Sequence, residues 1–119
     1  MIYTADGNRC DLLTISSFSH VSSEQEPKLE DLHPDAEPRA RQFDSAKEIV
    51  FVTARVHPGE TPAAHICNGI IDFLTSNDPR AVLLRETFVF KIVPMINPDG
   101  VRRGHFRSDN FGVNLNRKY

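Results

Sequence analysis

The sequence predicts an α/β fold, and three observations carry that prediction. Residues 48–56, EIVFVTARV, open with the uninterrupted run Ile49-Val50-Phe51-Val52, the pattern of a strand covered on both faces in a parallel or mixed sheet. Ala63, Ile66, Cys67, Ile70, Phe73 and Leu74 recur at helical spacing and define one apolar face. Residues 88–94, FVFKIVP, form a further apolar strand closed by Pro94. Strand, helix and strand in this order make a β-α-β unit, whose crossover is right-handed in nearly all known cases.

Ahead of that unit, residues 9–15, RCDLLTI, read as a short, partly buried strand after the turn dipeptide Asp6-Gly7. From Ser16 to Ser45 the chain is rich in Ser, Glu, Asp and Pro, shows no sustained period and reads as a long surface insertion. Residues 24–37 of it hold six acids against one lysine, the composition of a solvated loop. Within the unit, Thr61-Pro62 supplies a hydroxyl N-cap and a proline at the first helical position, where its missing N–H costs nothing. Asp78-Pro79 repeats the signal and opens a second short helix through Arg85. The expected division is an amino-terminal strand plus acidic insertion over 1–47, then the motif-bearing part over 48–119.

A chain of 119 residues is one domain's worth, and 39% hydrophobic residues, 25% charged residues and a net charge of -2 describe a soluble globular protein. That balance argues against wholesale nucleic-acid binding. Cys10 and Cys67 form no CxxC pair, so they signal neither a zinc ribbon nor a disulfide framework, and both are expected to be reduced thiols. The amino terminus lacks a basic segment followed by an apolar one, and no apolar run approaches the ~20 residues that span a bilayer. No membrane association and a cytoplasmic location are the expectation.

In open α/β sheets, ligands bind at the carboxyl ends of the strands. His57 and Glu60 lie just past one strand, and Asn97-Pro98-Asp99-Gly100 just past another. Imidazole and carboxylate are both zinc ligands, and a catalytic zinc takes three protein ligands plus water. HxxE offers two, on a tight Pro58-Gly59 turn that can fold Glu60 back toward His57. The same residues also suit a plain turn histidine beside an exposed glutamate. Residues 97–119 are dense in Asn, Gly and Arg, which fits either an Asn-Pro-Asp-Gly turn with a polar loop or an anion site. In the second case Arg107, Asn116 and Arg117 supply paired donors to a carboxylate.

VHPGETP, FVFKIVP, NPDGVRRGHFR and GVNLNR, in this order and spacing, closely resemble the M14-type zinc metallocarboxypeptidases, specifically the cytosolic carboxypeptidases that remove glutamates from tubulin. The resemblance is strong over 48–119 and weak over 9–15. It implies a partial α/β/α sandwich with a mixed sheet, zinc as cofactor, and His57 and Glu60 as metal ligands. It implies that Arg107 polarises the scissile carbonyl and that Asn116 and Arg117 hold the substrate's terminal carboxylate. The implied reaction is attack by a zinc-bound water, releasing C-terminal amino acids, glutamate in particular, from acidic tails such as those of polyglutamylated tubulin. A location near microtubules follows.

The family's third zinc ligand, a histidine, and its general-base glutamate belong beyond the last residue of this sequence. His65 and His105 are not expected to replace that histidine, while His20 and His33 are expected in solvent. The chain is therefore expected to be a truncated part of the catalytic domain, with exposed strand edges, marginal stability and little catalysis of its own. Arg102, Arg103 and Arg107 place basic charge near the presumed cleft, which favours acidic peptides. Two other readings stand beside this one: an aminoacylase-like zinc amidohydrolase, and a non-catalytic carboxylate-binding protein that keeps the clamp without a complete metal site.

Overall fold

The computed structural model describes residues 2–27 and 39–118. The elements run β1 (Ile2–Tyr3), β2 (Arg9–Cys10), β3 (Leu13–Ile15), β4 (Val21–Gln25), β5 (Arg41–Phe43), β6 (Glu48–Thr53), α1 (Pro62–Thr75), α2 (Pro79–Thr87), β7 (Phe88–Val93), α3 (Pro98–Arg102) and a 3-10 turn at Leu115–Arg117.

The central sheet has the order β3-β7-β6. β6 and β7 run parallel, with Glu48 opposite Phe88 and Thr53 opposite Val93, as the intervening α1 and α2 require. β3 lies antiparallel on the other side of β7, Leu13 facing Ile92 and Ile15 facing Phe90, so the sheet is mixed. Alternation then sorts the side chains. Val50, Val52, Phe90 and Ile92 point to the helices and join Cys67 and Leu74 of α1 in the core. Ile92 and Val89 are the largest side chains fully removed from solvent. Each contributes about 1.5–3 kcal/mol by burial.

On the opposite face, Val89 and Lys91 are covered by the antiparallel pair β4–β5, with Phe43 and Gln42 beside them. The buried Lys91 ammonium is held by the Glu26 carboxylate and by the Thr14 hydroxyl at 3.0 Å. The insertion expected over 16–45 is thus partly structured, because β4 and β5 find each other and the sheet's second face. Residues 28–38, including His33, lie outside the described residues.

Four further expectations change. The 9–15 strand divides at Asp11-Leu12, β2 pairing with β1 and β3 with β7. β6 is not covered on both faces among the described residues, since Ile49 and Phe51 are 67% and 64% exposed. Its only strand neighbour there is β7. Thr61 makes no side-chain cap, because its own backbone is already helical, whereas Ile66 lines one hollow with Ala63, Cys67 and Ile70 of the expected α1 face and is 65% exposed there. Asp78 does cap α2, accepting from Arg80 N–H at 2.8 Å, although that helix continues past Arg85 to Thr87. Both cysteines are free, and no helix among the described residues is long and apolar enough to cross a membrane.

Candidate metal centre

The parallel ladder continues past the carboxyl ends of β6 and β7. Ala54 N–H donates to Val93 O, Ile96 N–H to Ala54 O and Asn97 N–H to Arg55 O, at 3.0, 3.0 and 3.2 Å. These bonds hold the two strand-end loops side by side. Asn97 then caps α3 by accepting from Gly100 N–H at 2.9 Å, while its amide nitrogen donates to Ser108 O at 3.2 Å. The expected Asn-Pro-Asp-Gly turn is therefore the first turn of a short helix.

Two glycines permit the loops to meet. A Cβ on Gly59 would lie 2.6 Å from the Phe106 ring and 2.8 Å from the Phe106 carbonyl. One on Gly100 would lie 2.5 Å from Pro58 Cγ and 2.7 Å from Ser108 O. Close backbone approach, rather than any special backbone angle, fixes glycine at both positions.

His57 is buried, at 4% exposure. Its Nδ1 faces Glu60 Oε1 at 2.9 Å, and its Nε2 faces Asn114 Oδ1 at 3.0 Å. The Asn114 oxygen also accepts the Asn116 backbone N–H at 3.0 Å, which fixes that atom as an acceptor. Nε2 must then carry the proton and donate. The 2.9 Å contact between Nδ1 and the Glu60 carboxylate is attractive when a cation joins them, either a proton on Nδ1 in an imidazolium–carboxylate pair or a metal ion held by both. This donor set fits zinc, which takes neutral imidazole nitrogen and carboxylate oxygen.

Glu60 is half exposed, and Arg107 Nη1 stands 3.5 Å from its Oε1. Among the described residues no third His, Cys, Asp or Glu joins the pair. His105 instead bonds the Asp109 carbonyl at 2.9 Å through Nδ1, and His65 is exposed on α1. His20, also exposed, pairs with Asp44 at 3.0 Å. The structure brings His57, Glu60 and Arg107 together. Asn116 and Arg117 occupy the 3-10 turn next to Asn114, where the exposed Arg117 donates to Asn116 O at 2.7 Å.

The other two arginines of the loop are engaged in structure. Arg103 makes a forked pair with Asp6 at 2.6 and 2.8 Å, and Arg102 donates to Asn8 at 3.1 Å. Arg103 holds the Asp6 carboxyl below its ordinary range, with Asn110 adding a second hydrogen bond. Asp99, buried, binds the same amino-terminal turn: it accepts from the Thr4 hydroxyl, from Asn8 Nδ2 at 2.8 Å and from Asp6 N–H at 3.3 Å. The turn between β1 and β2 is thus clasped to the loop that carries Arg107.

Asn114, Asp99 and Arg55 were not singled out by residue pattern. An Asn two residues before another Asn suits a local side-chain-to-backbone turn, but nothing local marks its histidine partner.

The family pattern described as zinc carboxypeptidase matches residues 3–119. The chain is 55% identical over 121 aligned residues to cytosolic carboxypeptidase-like protein 5 of Bos taurus, covering 100% of this chain and 14% of that protein. It is 46% identical to cytosolic carboxypeptidase 6 of Caenorhabditis elegans, covering 100% of this chain and 21% of that one. The metallo-carboxypeptidase of Burkholderia cenocepacia superposes with a TM-score of 0.71 at 30% identity, over 98% of this chain and 26% of that one. The chain therefore spans a minor part of the length of these relatives.

Proposed function

The chain belongs to the zinc carboxypeptidase family, and from that premise we propose that it contributes the His57–Glu60 metal turn and Arg107 to a site that removes C-terminal amino acids from proteins. The proposed substrate is glutamate on acidic tails such as those of polyglutamylated tubulin, in the cytoplasm and close to microtubules. The observation that carries the reading is that His57 Nδ1 and Glu60 Oε1 face each other at 2.9 Å while His57 Nε2 is engaged by Asn114 Oδ1 at 3.0 Å.

Zinc, when bound, supplies a Lewis acid and lowers the pKa of water to near neutrality. The residues of the chain divide the remaining work. His57 and Glu60 hold the metal, and Asn114 keeps the His57 proton on Nε2. Arg107 donates to the scissile carbonyl oxygen as negative charge accumulates there, the largest single contribution in many such reactions. Asn116 and Arg117 receive the terminal carboxylate, Arg117 exchanging the Asn116 carbonyl for a charged acceptor. The basic charge available to an acidic tail comes from Arg107 and Arg117, since Arg102 and Arg103 are committed to Asn8 and Asp6.

The test is zinc titration by calorimetry on the purified chain, joined to mass spectrometry of a peptide ending in consecutive glutamates. Zinc binding, weak with two ligands, and the low glutamate release expected of this chain should both disappear in His57→Ala. Survival of either in that variant overturns the reading. A second reading, carboxylate binding without hydrolysis, is favoured by the two-ligand set among the described residues. It predicts that the peptide binds, weakens on Arg117→Ala, and is recovered uncut.

A further inference from the structure

We propose that Arg55 is a positioning residue for the metal turn, acting by locking the Pro58–Gly59 peptide in one of its two orientations. This rests on the reading of His57 and Glu60 as metal ligands. Residues 57–60 form a β-turn, closed by Glu60 N–H donating to His57 O at 3.2 Å, with Pro58 and Gly59 at its centre. Pro-Gly is the preferred central pair of a type II turn, which needs positive φ at the glycine. Gly59 is not among the positive-φ residues, so this turn has its central peptide the other way round.

Both poles of that peptide are held from outside the turn. Arg55 Nη2 donates to the Pro58 carbonyl at 2.5 Å, and Gly59 N–H donates to the Phe106 carbonyl at 2.8 Å. Arg55 itself is arranged at a cost. Its backbone is left-handed at φ 56, and its Nε is buried with no acceptor among the described residues. Its carbonyl is meanwhile fixed by Asn97 N–H at 3.2 Å. Unfavourable backbone and unsatisfied donor persist together at one residue only where the surroundings over-determine it. Here they aim a guanidinium at the carbonyl whose rotation would also withdraw the Gly59 N–H from the Phe106 carbonyl, loosening the turn between the two ligands from the loop that carries Arg107.

The experiment compares Arg55→Met, Arg55→Gly and Arg55→Lys in the full 119-residue chain. Without metal, NMR reads the Pro58 Hα to Gly59 amide contact, which is strong in type II turns and weak otherwise, together with Gly59 amide exchange. With metal, Co²⁺ titration reads affinity from the visible spectrum. Met and Gly should bring up the type II contact, accelerate Gly59 exchange at least ~10-fold and weaken Co²⁺ binding ~10–100-fold, the range for supporting residues around a metal. Lys, which keeps a donor, should restore both readouts in part. The proposal is overturned if Met retains the wild-type contact and exchange, if the turn flips with Co²⁺ affinity unchanged, or if all three variants unfold alike. Wild-type Co²⁺ binding that survives His57→Ala defeats the metal-site reading instead.

Discussion

His57 Nε2 lies 3.0 Å from Asn114 Oδ1, which joins the turn after β6 to the 3-10 turn near the end of the sequence. Asn114 is an acceptor there because the same oxygen takes the Asn116 N–H. Replacing Asn114 by Leu removes that acceptor and frees the imidazole to rotate and to change tautomer. Metal affinity should fall ~10–100-fold, as for other residues that orient ligating histidines. Asn114→Asp preserves the acceptor and makes it anionic, so it should bind metal at least as tightly as wild type. Competition against a chromophoric chelator distinguishes the two, and equal loss in both would sink the orienting role.

Glycine substitutions separate close approach from helix propensity. Gly59→Ala and Gly100→Ala each drive a Cβ to under 3.0 Å from backbone or ring atoms. Each should destabilise by about 1–3 kcal/mol, the usual cost of overpacking. Gly69, inside α1 and with nothing near its missing Cβ, should behave oppositely. Gly69→Ala is expected to stabilise by about 0.5–1 kcal/mol. Urea denaturation of the three variants gives the comparison directly.

The β-α-β unit was legible because both of its strands and its helix declare themselves by local pattern, and Pro62 and Pro79 mark both helix starts. The HxxE turn was legible for the same reason, its two donors being three residues apart. What escaped was non-local. β4 and β5 are short and mostly polar, and gain their order from each other and from the sheet face over Val89 and Lys91. Asp99 binds residues more than ninety positions away, so NPDG reads as a turn although its aspartate is a clasp for the amino terminus. Thr61 resembles an N-cap only in composition, because the tight turn before it already delivers the chain in helical conformation.

That clasp yields a third prediction. Asp99→Ala leaves the Thr4 hydroxyl, the Asn8 amide and the Asp6 N–H without their acceptor in a part-buried setting. The expected loss is roughly 2–4 kcal/mol, within the range for breaking a buried hydrogen-bond network. Because, among the described residues, Thr4, Asp6 and Asn8 of the amino-terminal turn bond to Asp99, Arg102, Arg103 and Asn110, amide exchange should accelerate in residues 2–10 and 103–110 before α1 is affected. Uniform acceleration across the chain would show the clasp to be no separate unit.

Acid should undo the same connection, and the sign follows from the direction of the shifts. The Asp6 carboxyl is held below its ordinary value first by the Arg103 hydrogen bond, and Asp78 is held at about 2 by the Arg80 side chain and backbone. Both groups bind a proton more readily unfolded, at about 3.9, than folded. Their contribution to stability is therefore complete above about pH 4–5 and disappears as pH falls through the folded values. For Asp78 that window runs from about 4 down to about 2. Asp6→Asn and Asp78→Asn should lower the thermal midpoint at pH 7, and each variant's deficit should shrink as pH drops through this window. A deficit that stays constant between pH 7 and pH 2 would mean that the carboxylate charges contribute nothing, leaving only the hydrogen-bond geometry that an amide can share.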